Sequence, residues 1–486
     1  ECTVPGHVEM QGYGQIQYVN TQYPWDGREK LAPPQTPREY NPVSVYQRTF
    51  EMAPEEAERP ARLIFDGAES CLFALLNGEL LGYGEDSFTP KTFDVTGKLK
   101  VGENTLTAVT VHFCSGSWLE DQDFWRFSGL FRPVHLCLLP RRYIERLSVR
   151  AAVDETLETG SLLLCAGGLM ENCQAEITLC TDAGQTVYHQ TVDAQELQDL
   201  TIPVDRPVLW SAEIPRLYTL SIALLYEGKA IRAAQTRVGF RRFELKKGVM
   251  TLNGKRLVFC GVNRHEFHCD RGRALTEQDI RDDLLLLKKY GFNAVRTSHY
   301  PNQSCFYALC DELGLYVVDE ANIESHGSWM VLGKRVPGSG NVPGDHAQWL
   351  AASLRRVENM FERDQNHPAI LLWSLGNESC GGSVLRDCAN WLRRRDDTRL
   401  IHYEGIFWDR RYPETSDVES RMYAKPDEII AYLESKPNKP LILCEYAHAM
   451  GNSCGDLRLY MELQDRYEQY QGGFLWDFKD QAIRQN

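Results

Sequence analysis

Hydrophobic and polar positions follow three different patterns along the chain. From residue 1 to about 140, short runs alternate between the two, as in Val45-Tyr46-Gln47-Arg48-Thr49-Phe50, with a proline-rich loop at Pro33, Pro34 and Pro37 ahead of that run. Such alternation, broken by turn residues, predicts an all-β unit, a jelly roll or sandwich. From 141 to about 240 the runs are again strand-like: Ser161-Leu162-Leu163-Leu164-Cys165, Ala175-Glu176-Ile177-Thr178-Leu179 and Leu217-Tyr218-Thr219-Leu220-Ser221-Ile222. About 100 residues with roughly seven strands fit an immunoglobulin-like β-sandwich.

From 241 to 486 apolar strands alternate with helical patterns. Eight strand candidates stand at 257–263, 292–299, 315–321, 369–378, 400–405, 420–425, 441–447 and 472–478. One helix is expected from Thr276 to Tyr290, with Thr276 as N-cap and Gly291 just past its end. Another is expected from about Ala347 to Arg363. Eight such units in this length match a (β/α)8 barrel of roughly 250 residues. Continuous apolar runs such as Ile370-Leu371-Leu372-Trp373 and Leu441-Ile442-Leu443-Cys444 suit strands buried on both faces.

Polar and aromatic groups gather where each run ends: Asn263-Arg264-His265-Glu266, Ser298-His299-Tyr300, Asp319-Glu320-Ala321-Asn322, Gly376-Asn377-Glu378, Tyr403-Glu404, Met422-Tyr423, Glu445-Tyr446 and Trp476-Asp477. In this fold the C-terminal ends of the strands carry the active site. Carboxylates buried there without purpose would cost several kcal/mol.

Composition narrows the function. A formal net charge of −14 disfavours nucleic acid and anionic membranes as partners. The basic run Arg393-Arg394-Arg395 is followed by Asp396-Asp397 and reads as a solvated helix end. No run of about 18 apolar residues predicts a transmembrane helix. The 15 cysteines show no Cys-x-x-Cys spacing, which disfavours a zinc ribbon or thioredoxin motif. Those in apolar runs, such as Cys165, Cys260 and Cys444, are expected to be buried, and this usage suggests a reducing, cytoplasmic setting.

The candidate chemistry rests on carboxylates. Glu378 at the end of strand four and Glu445 at the end of strand seven lie on opposite sides of the expected barrel mouth. Two carboxyls about 5 to 5.5 Å apart suit a retaining glycosidase, one as acid/base and one as nucleophile. Glu324 and His326, with Glu378, can hold a hard divalent cation, and carboxylate-rich ligation points to magnesium or manganese. The bland reading of those two residues is a hydrogen-bonded loop. His265-Glu266-Phe267-His268 lacks the spacing of the His-Glu-x-x-His zinc motif. His299 and His448 stand at strand ends and can donate to hydroxyls, while Trp476 offers an aromatic face to a sugar ring. No Gly-x-Ser-x-Gly elbow, P-loop or Gly-x-Gly-x-x-Gly is present.

Longer motifs carry a family resemblance. Trp373-Ser374-Leu375-Gly376-Asn377-Glu378-Ser379 resembles the acid/base signature of glycoside hydrolase family 2. Leu443-Cys444-Glu445-Tyr446-Ala447-His448-Ala449-Met450-Gly451-Asn452-Ser453 is similar to the nucleophile segment of that family's large β-galactosidases. The match extends through Gly261-Val262-Asn263-Arg264-His265-Glu266, Arg296-Thr297-Ser298-His299-Tyr300-Pro301-Asn302, Val318 to Gly327, Gly472 to Asp477 and, upstream, Glu120 to Arg126. The resemblance implies a jelly roll, an immunoglobulin-like sandwich and a catalytic TIM barrel, in that order. It implies Glu378 as acid/base and Glu445 as nucleophile, with Glu324, His326 and Glu378 binding Mg2+ and Asp123 binding Na+. Galactose contacts would come from Asn41, Asp123, His299, Asn377, Tyr423, His448 and Trp476, with Tyr423 hydrogen-bonded to the nucleophile. It further implies a β-galactoside substrate, a homo-oligomer, and more β domains beyond the eighth strand, so the sequence reads as part of a longer chain. The alternatives are another activity of the family, β-glucuronidase or β-mannosidase, and a noncatalytic carbohydrate-binding barrel.

Overall fold

The computed structural model describes residues 1–331, 334–335, 340–451 and 453–484. The first unit is a β-sandwich. Strands 43–52, 102–111, 71–76 and 79–84 form one sheet in that order, and strands 91–94, 61–65 and 134–138 form the other. Leu63, Phe65, Leu72, Ala74 and Leu76 fill the space between them. The second unit pairs a three-stranded sheet (143–153, 159–169, 200–205) with a four-stranded one (186–193, 174–180, 218–226, 229–238). Inward positions such as Leu162, Leu164, Ile177, Leu179, Leu220 and Ile222 are fully buried, as period-two alternation requires.

The third unit is the barrel. Its strands are β1 (Phe259–Asn263), β2 (Ala294–Arg296), β3 (Tyr316–Glu320), β4 (Ile370–Ser374), β5 (Leu400–His402), β6 (Glu419–Met422), β7 (Leu441–Tyr446) and β8 (Tyr470–Leu475). They form one parallel sheet in the order β5-β4-β3-β2-β1-β8-β7-β6. The seam between β5 and β6 carries no ladder; one backbone bond, from the Asp417 amide to Ile401 O at 2.8 Å, and side chains close it. Asp417 accepts from the Ile401 amide at 2.7 Å, and the ring of His402 meets Ser420 Oγ at 2.8 Å. The helices are α1 (Glu277–Lys289), α2 (Ser304–Leu313), α3 (Leu350–Asp364), α4 (Ser383–Arg395), α5 (Pro426–Glu434) and α6 (Leu457–Arg466). Thr276 caps α1 by accepting from the Asp279 amide, while Asp279 accepts from the Thr276 amide in return. Only short 3-10 turns, Glu404–Phe407 and Pro413–Thr415, link β5 to β6 among the described residues.

Two expectations change. The strands are shorter than the apolar runs: β4 stops at Ser374, so Glu378 lies on the loop beyond it rather than at a strand end. Gly376 at φ 134° and Glu378 at φ 37° leave the extended region, which ends the ladder. Gly376 is also required sterically, because a Cβ there would meet Ile323 O at 2.3 Å. The second change concerns thiols. Cys444 is buried, but Cys165 and Cys260 are exposed. Each occupies the outward position of a strand whose neighbours, Leu164 and Ala166 or Phe259 and Gly261, point inward.

The first unit reaches into the barrel mouth. Its segment at 119–122 pairs with the loop after β3: Glu324 donates its amide to Leu119 O, and Asp121 donates to Glu324 O. Arg132 pairs with Glu266 at 2.7 Å and Arg273 grips both oxygens of Glu69, all four buried. These contacts fix Asp123 relative to the barrel loops.

Candidate active site

At the centre lies Arg296, fully buried at the end of β2. A guanidinium without water needs its fork satisfied by acceptors. Arg296 donates to both oxygens of Glu320 (2.8 and 2.9 Å), to Glu445 Oε1 at 3.0 Å, to Asn377 Oδ1 at 2.9 Å and to Asn263 Oδ1 at 3.0 Å. Burial works against its charge, but Glu320 and Glu445 outweigh burial and push its pKa further up.

This arrangement links the two expected carboxyls. Asn377 gives one amide face to Arg296 and the other to Glu324 Oε2 (3.1 Å) and Glu378 Oε2 (3.4 Å). Glu445 accepts on both oxygens, from Arg296 on Oε1 and from the Tyr423 hydroxyl on Oε2 at 2.7 Å. Burial pushes Glu445 up to about 7, and the charge of Glu378 adds to that, while Arg296 and Tyr423 pull it down. Glu378 is drawn the other way. Burial raises it, but the His326 ring 2.9 Å from its Oε2 lowers it below the usual range. Like charges in one buried site resist joint ionisation, so the charge on either carboxyl bears on the titration of the other.

Glu324, His326 and Glu378 bring three ligand atoms within 4.8 Å of one another. Burial and the neighbouring charge of Glu378 raise Glu324 well above the usual carboxylate range. Two crowded carboxylates with one imidazole form a donor set that calls for positive charge, and oxygen-rich coordination suits a hard divalent ion. Asp123 differs. Its carboxylate accepts the Tyr18 hydroxyl and belongs to neither ligand cluster found among the described residues.

The remaining expected contacts divide into two groups. His299 is buried, with Nδ1 2.8 Å from Glu320 Oε1 and Nε2 3.7 Å from Glu445 Oε1. Trp476 stacks on its ring at 5.2 Å and 7°. His448 tilts against Tyr423 at 5.8 Å. Asn41 does not join them by hydrogen bonding: its amide is committed to the Phe113 backbone, donating to O at 2.9 Å and accepting from N at 2.8 Å.

Four further residues complete the site. Arg296 and Glu320 stand in the motifs that carry the family resemblance, Glu320 also as a strand-end carboxylate, but neither has an assigned role in the sequence. Trp329 donates its indole N–H to Glu378 O at 2.7 Å, and Glu404 accepts the Glu378 amide at 2.8 Å. Burial, reinforced by the charge of Glu378, pushes Glu404 up to about 8. No local signal marks Trp329. Glu404 was recognisable as a strand-end carboxylate without an assigned task.

Comparison with known proteins gives the same three-part organisation. The model for glycosyl hydrolases family 2, TIM barrel domain, matches residues 243–486; the family's sugar binding domain matches 1–140, and a third family model matches 143–241. A β-galactosidase of Halalkalibacterium halodurans is 49% identical over 99% of this chain and 48% of its own length. A β-galactosidase large subunit of Latilactobacillus sakei is 43% identical over 99% of this chain and 79% of its own. The chain spans about half the length of the first of these. The solved β-D-glucuronidase of Dictyoglomus thermophilum shares the fold, with a TM-score of 0.77 and 22% identity over 91% of this chain and 84% of that one. The chain belongs to glycosyl hydrolases family 2.

Proposed function

We propose that this chain carries the catalytic barrel of a retaining β-galactosidase, which removes terminal β-D-galactose by double displacement. The observation that supports it most directly is the bonding of Glu445, which accepts from Arg296 on one oxygen and Tyr423 on the other and is linked through Arg296 and then Asn377 to Glu378. Identities of 41–49% to β-galactosidases over nearly the whole chain support the sugar.

In the first step Glu378 gives its proton to the glycosidic oxygen as the C–O bond breaks. Glu445 attacks the anomeric carbon and forms a galactosyl ester. In the second step Glu378 takes a proton from water, whose oxygen attacks the same carbon, and Glu445 leaves as carboxylate. The first step requires the proton on Glu378, against the pull of a protonated His326 on that carboxyl. Arg296 and Tyr423 favour that distribution by donating to Glu445. A protonated His326 opposes it, and a neutral His326 removes the opposition. Trp476, half-buried and held flat against His299, would offer aromatic surface to the sugar's C–H face. His299 and His448 supply polar atoms beside it.

Glu324, His326 and Glu378 would hold Mg2+, which when bound neutralises part of the carboxylate charge and orients Glu378. Asp123, one of whose carboxylate oxygens accepts the Tyr18 hydroxyl, would offer an oxygen to Na+. A reducing, cytoplasmic setting is supported by 15 free thiols. Among the described residues no helix is long and apolar enough to cross a membrane. Assembly into several identical subunits is part of the proposal, and mass photometry of the full-length protein tests it. Turnover of nitrophenyl β-galactoside against the matching glucuronide and mannoside tests the sugar; a preference for either of the latter sinks this assignment.

A further inference from the structure

We infer that Glu404 is a positioning residue for the proton donor: it sets the direction of the Glu378 side chain by holding that residue's backbone. The inference rests on the acid/base reading of Glu378. Glu378 sits at φ 37°, a left-handed conformation that an L side chain adopts only when its surroundings impose it. Three features impose it here. Gly376, two residues earlier, packs so closely on Ile323 O that the loop cannot shift toward it. The Glu378 carbonyl accepts the Trp329 indole N–H at 2.7 Å, and Trp329 is buried. The Glu378 amide donates to Glu404 Oε1 at 2.8 Å, and Glu404 is buried as well.

The two anchors act on opposite sides of one Cα. Together they fix φ and ψ of Glu378, and with them the Cα–Cβ direction from which its carboxyl reaches the glycosidic oxygen. Trp329 comes from the loop after β3 and Glu404 from the turn after β5, so the loop after β4 is held from both neighbours. The contact with Glu404 uses an oxygen as acceptor at a fixed place. A glutamine amide oxygen can occupy that place, whereas leucine, similar in size, cannot accept.

The test uses the full-length enzyme with Glu404→Gln, Glu404→Leu and Glu404→Asp beside Glu378→Ala. Glu404→Gln should stay within about threefold of the parent. Glu404→Leu should lose about a hundredfold on lactose, whose leaving group needs a proton. It should lose far less in the first step on 2,4-dinitrophenyl β-galactoside, whose leaving group needs none. Azide, which needs no base, should speed turnover of the latter substrate and yield β-galactosyl azide. Should Glu404→Leu fail to fold, Glu404→Asp, which withdraws the acceptor by one methylene, should show the same signature in weaker form.

An equal fall on both substrates without an azide response, in whichever of these two variants folds, overturns the inference, as does a glutamine variant as damaged as the leucine one. Glu378→Ala separates the two readings. If it shows leaving-group dependence and azide rescue while the Glu404 variants do not, only the positioning role fails. If it shows neither, the acid/base reading fails and the inference with it.

Discussion

Arg296 Nη1 lies 3.0 Å from Glu445 Oε1, and the other terminal nitrogen of the same guanidinium donates to Asn377, the residue preceding Glu378. One rigid fork therefore fixes the spacing of the two carboxyl-bearing loops. Lysine is a point charge on a flexible stem and cannot hold both acceptors and Glu320 at once. Arg296→Lys should lower kcat sharply. It should also destabilise the protein by about 3–5 kcal/mol, because buried carboxylates lose hydrogen bonds. A variant that melts and turns over like the parent removes Arg296 from this role.

Glu445→Gln keeps the size and one acceptor oxygen but cannot form the glycosyl ester. Turnover of any β-galactoside should fall by at least about ten-thousandfold, with the melting temperature unchanged or raised, since burial disfavours the native carboxylate. Near-parental activity would show that another group is the nucleophile.

The order of the three units was legible because each depends on a local period. The barrel strands were legible because both faces are buried and their residues are apolar. Glu445 was placed well for the same reason: it directly ends the run Leu441-Ile442-Leu443-Cys444 inside β7. Glu378 was placed less well, since hydrophobicity gives no warning of the positive φ values after Ser374. Arg296, Glu320 and Trp329 acquire their roles in the site through partners 21 to 149 residues away. Hydrogen-bond pairing across such separations leaves no period in the sequence. Cys165 and Cys260 misled because an apolar run need not point every residue inward.

Tyr423, at φ 52°, donates to Glu445 Oε2 and also gives its amide to Glu445 O at 2.8 Å. Tyr423→Phe removes only the hydroxyl. A hydrogen bond to a charged group contributes about 1.5–3 kcal/mol, so kcat should fall roughly 10- to 100-fold. The change in KM should be smaller. A fall confined to KM would mean that the hydroxyl serves substrate binding rather than the nucleophile.

Chelation of the full-length enzyme should slow hydrolysis, and Mg2+ should restore it. Glu324→Gln removes one anionic ligand and lessens the crowding that raises Glu324. It should raise the Mg2+ needed for half-maximal rate by about tenfold or more. Indifference of the parent enzyme to both chelator and Mg2+ would leave Glu324 and His326 as a hydrogen-bonded loop.

His402 contributes to the pH dependence of stability. Its ring is fully buried between Ser374 Oγ and Ser420 Oγ, each 2.8 Å away. Ser374 already donates to Glu320 Oε2 at 2.6 Å, so it accepts from His402 Nδ1, and His402 Nε2 accepts from Ser420. That is a neutral tautomer. Burial, and then Arg296, lower its pKa from 6.5 to about 3. The unfolded chain binds a proton at His402 below about 6.5, whereas the folded chain does not until far lower pH. Its contribution is therefore complete above about 6.5 and is lost as pH falls toward 3. His402→Gln keeps a donor and an acceptor but does not titrate. The stability advantage of the parent over this variant should shrink by about 1.4 kcal/mol for each pH unit below 6.5. Denaturant melts of both proteins at pH 7.5, 6 and 5 measure that gap, and a gap independent of pH would mean that His402 is protonated alike in the folded and unfolded chains.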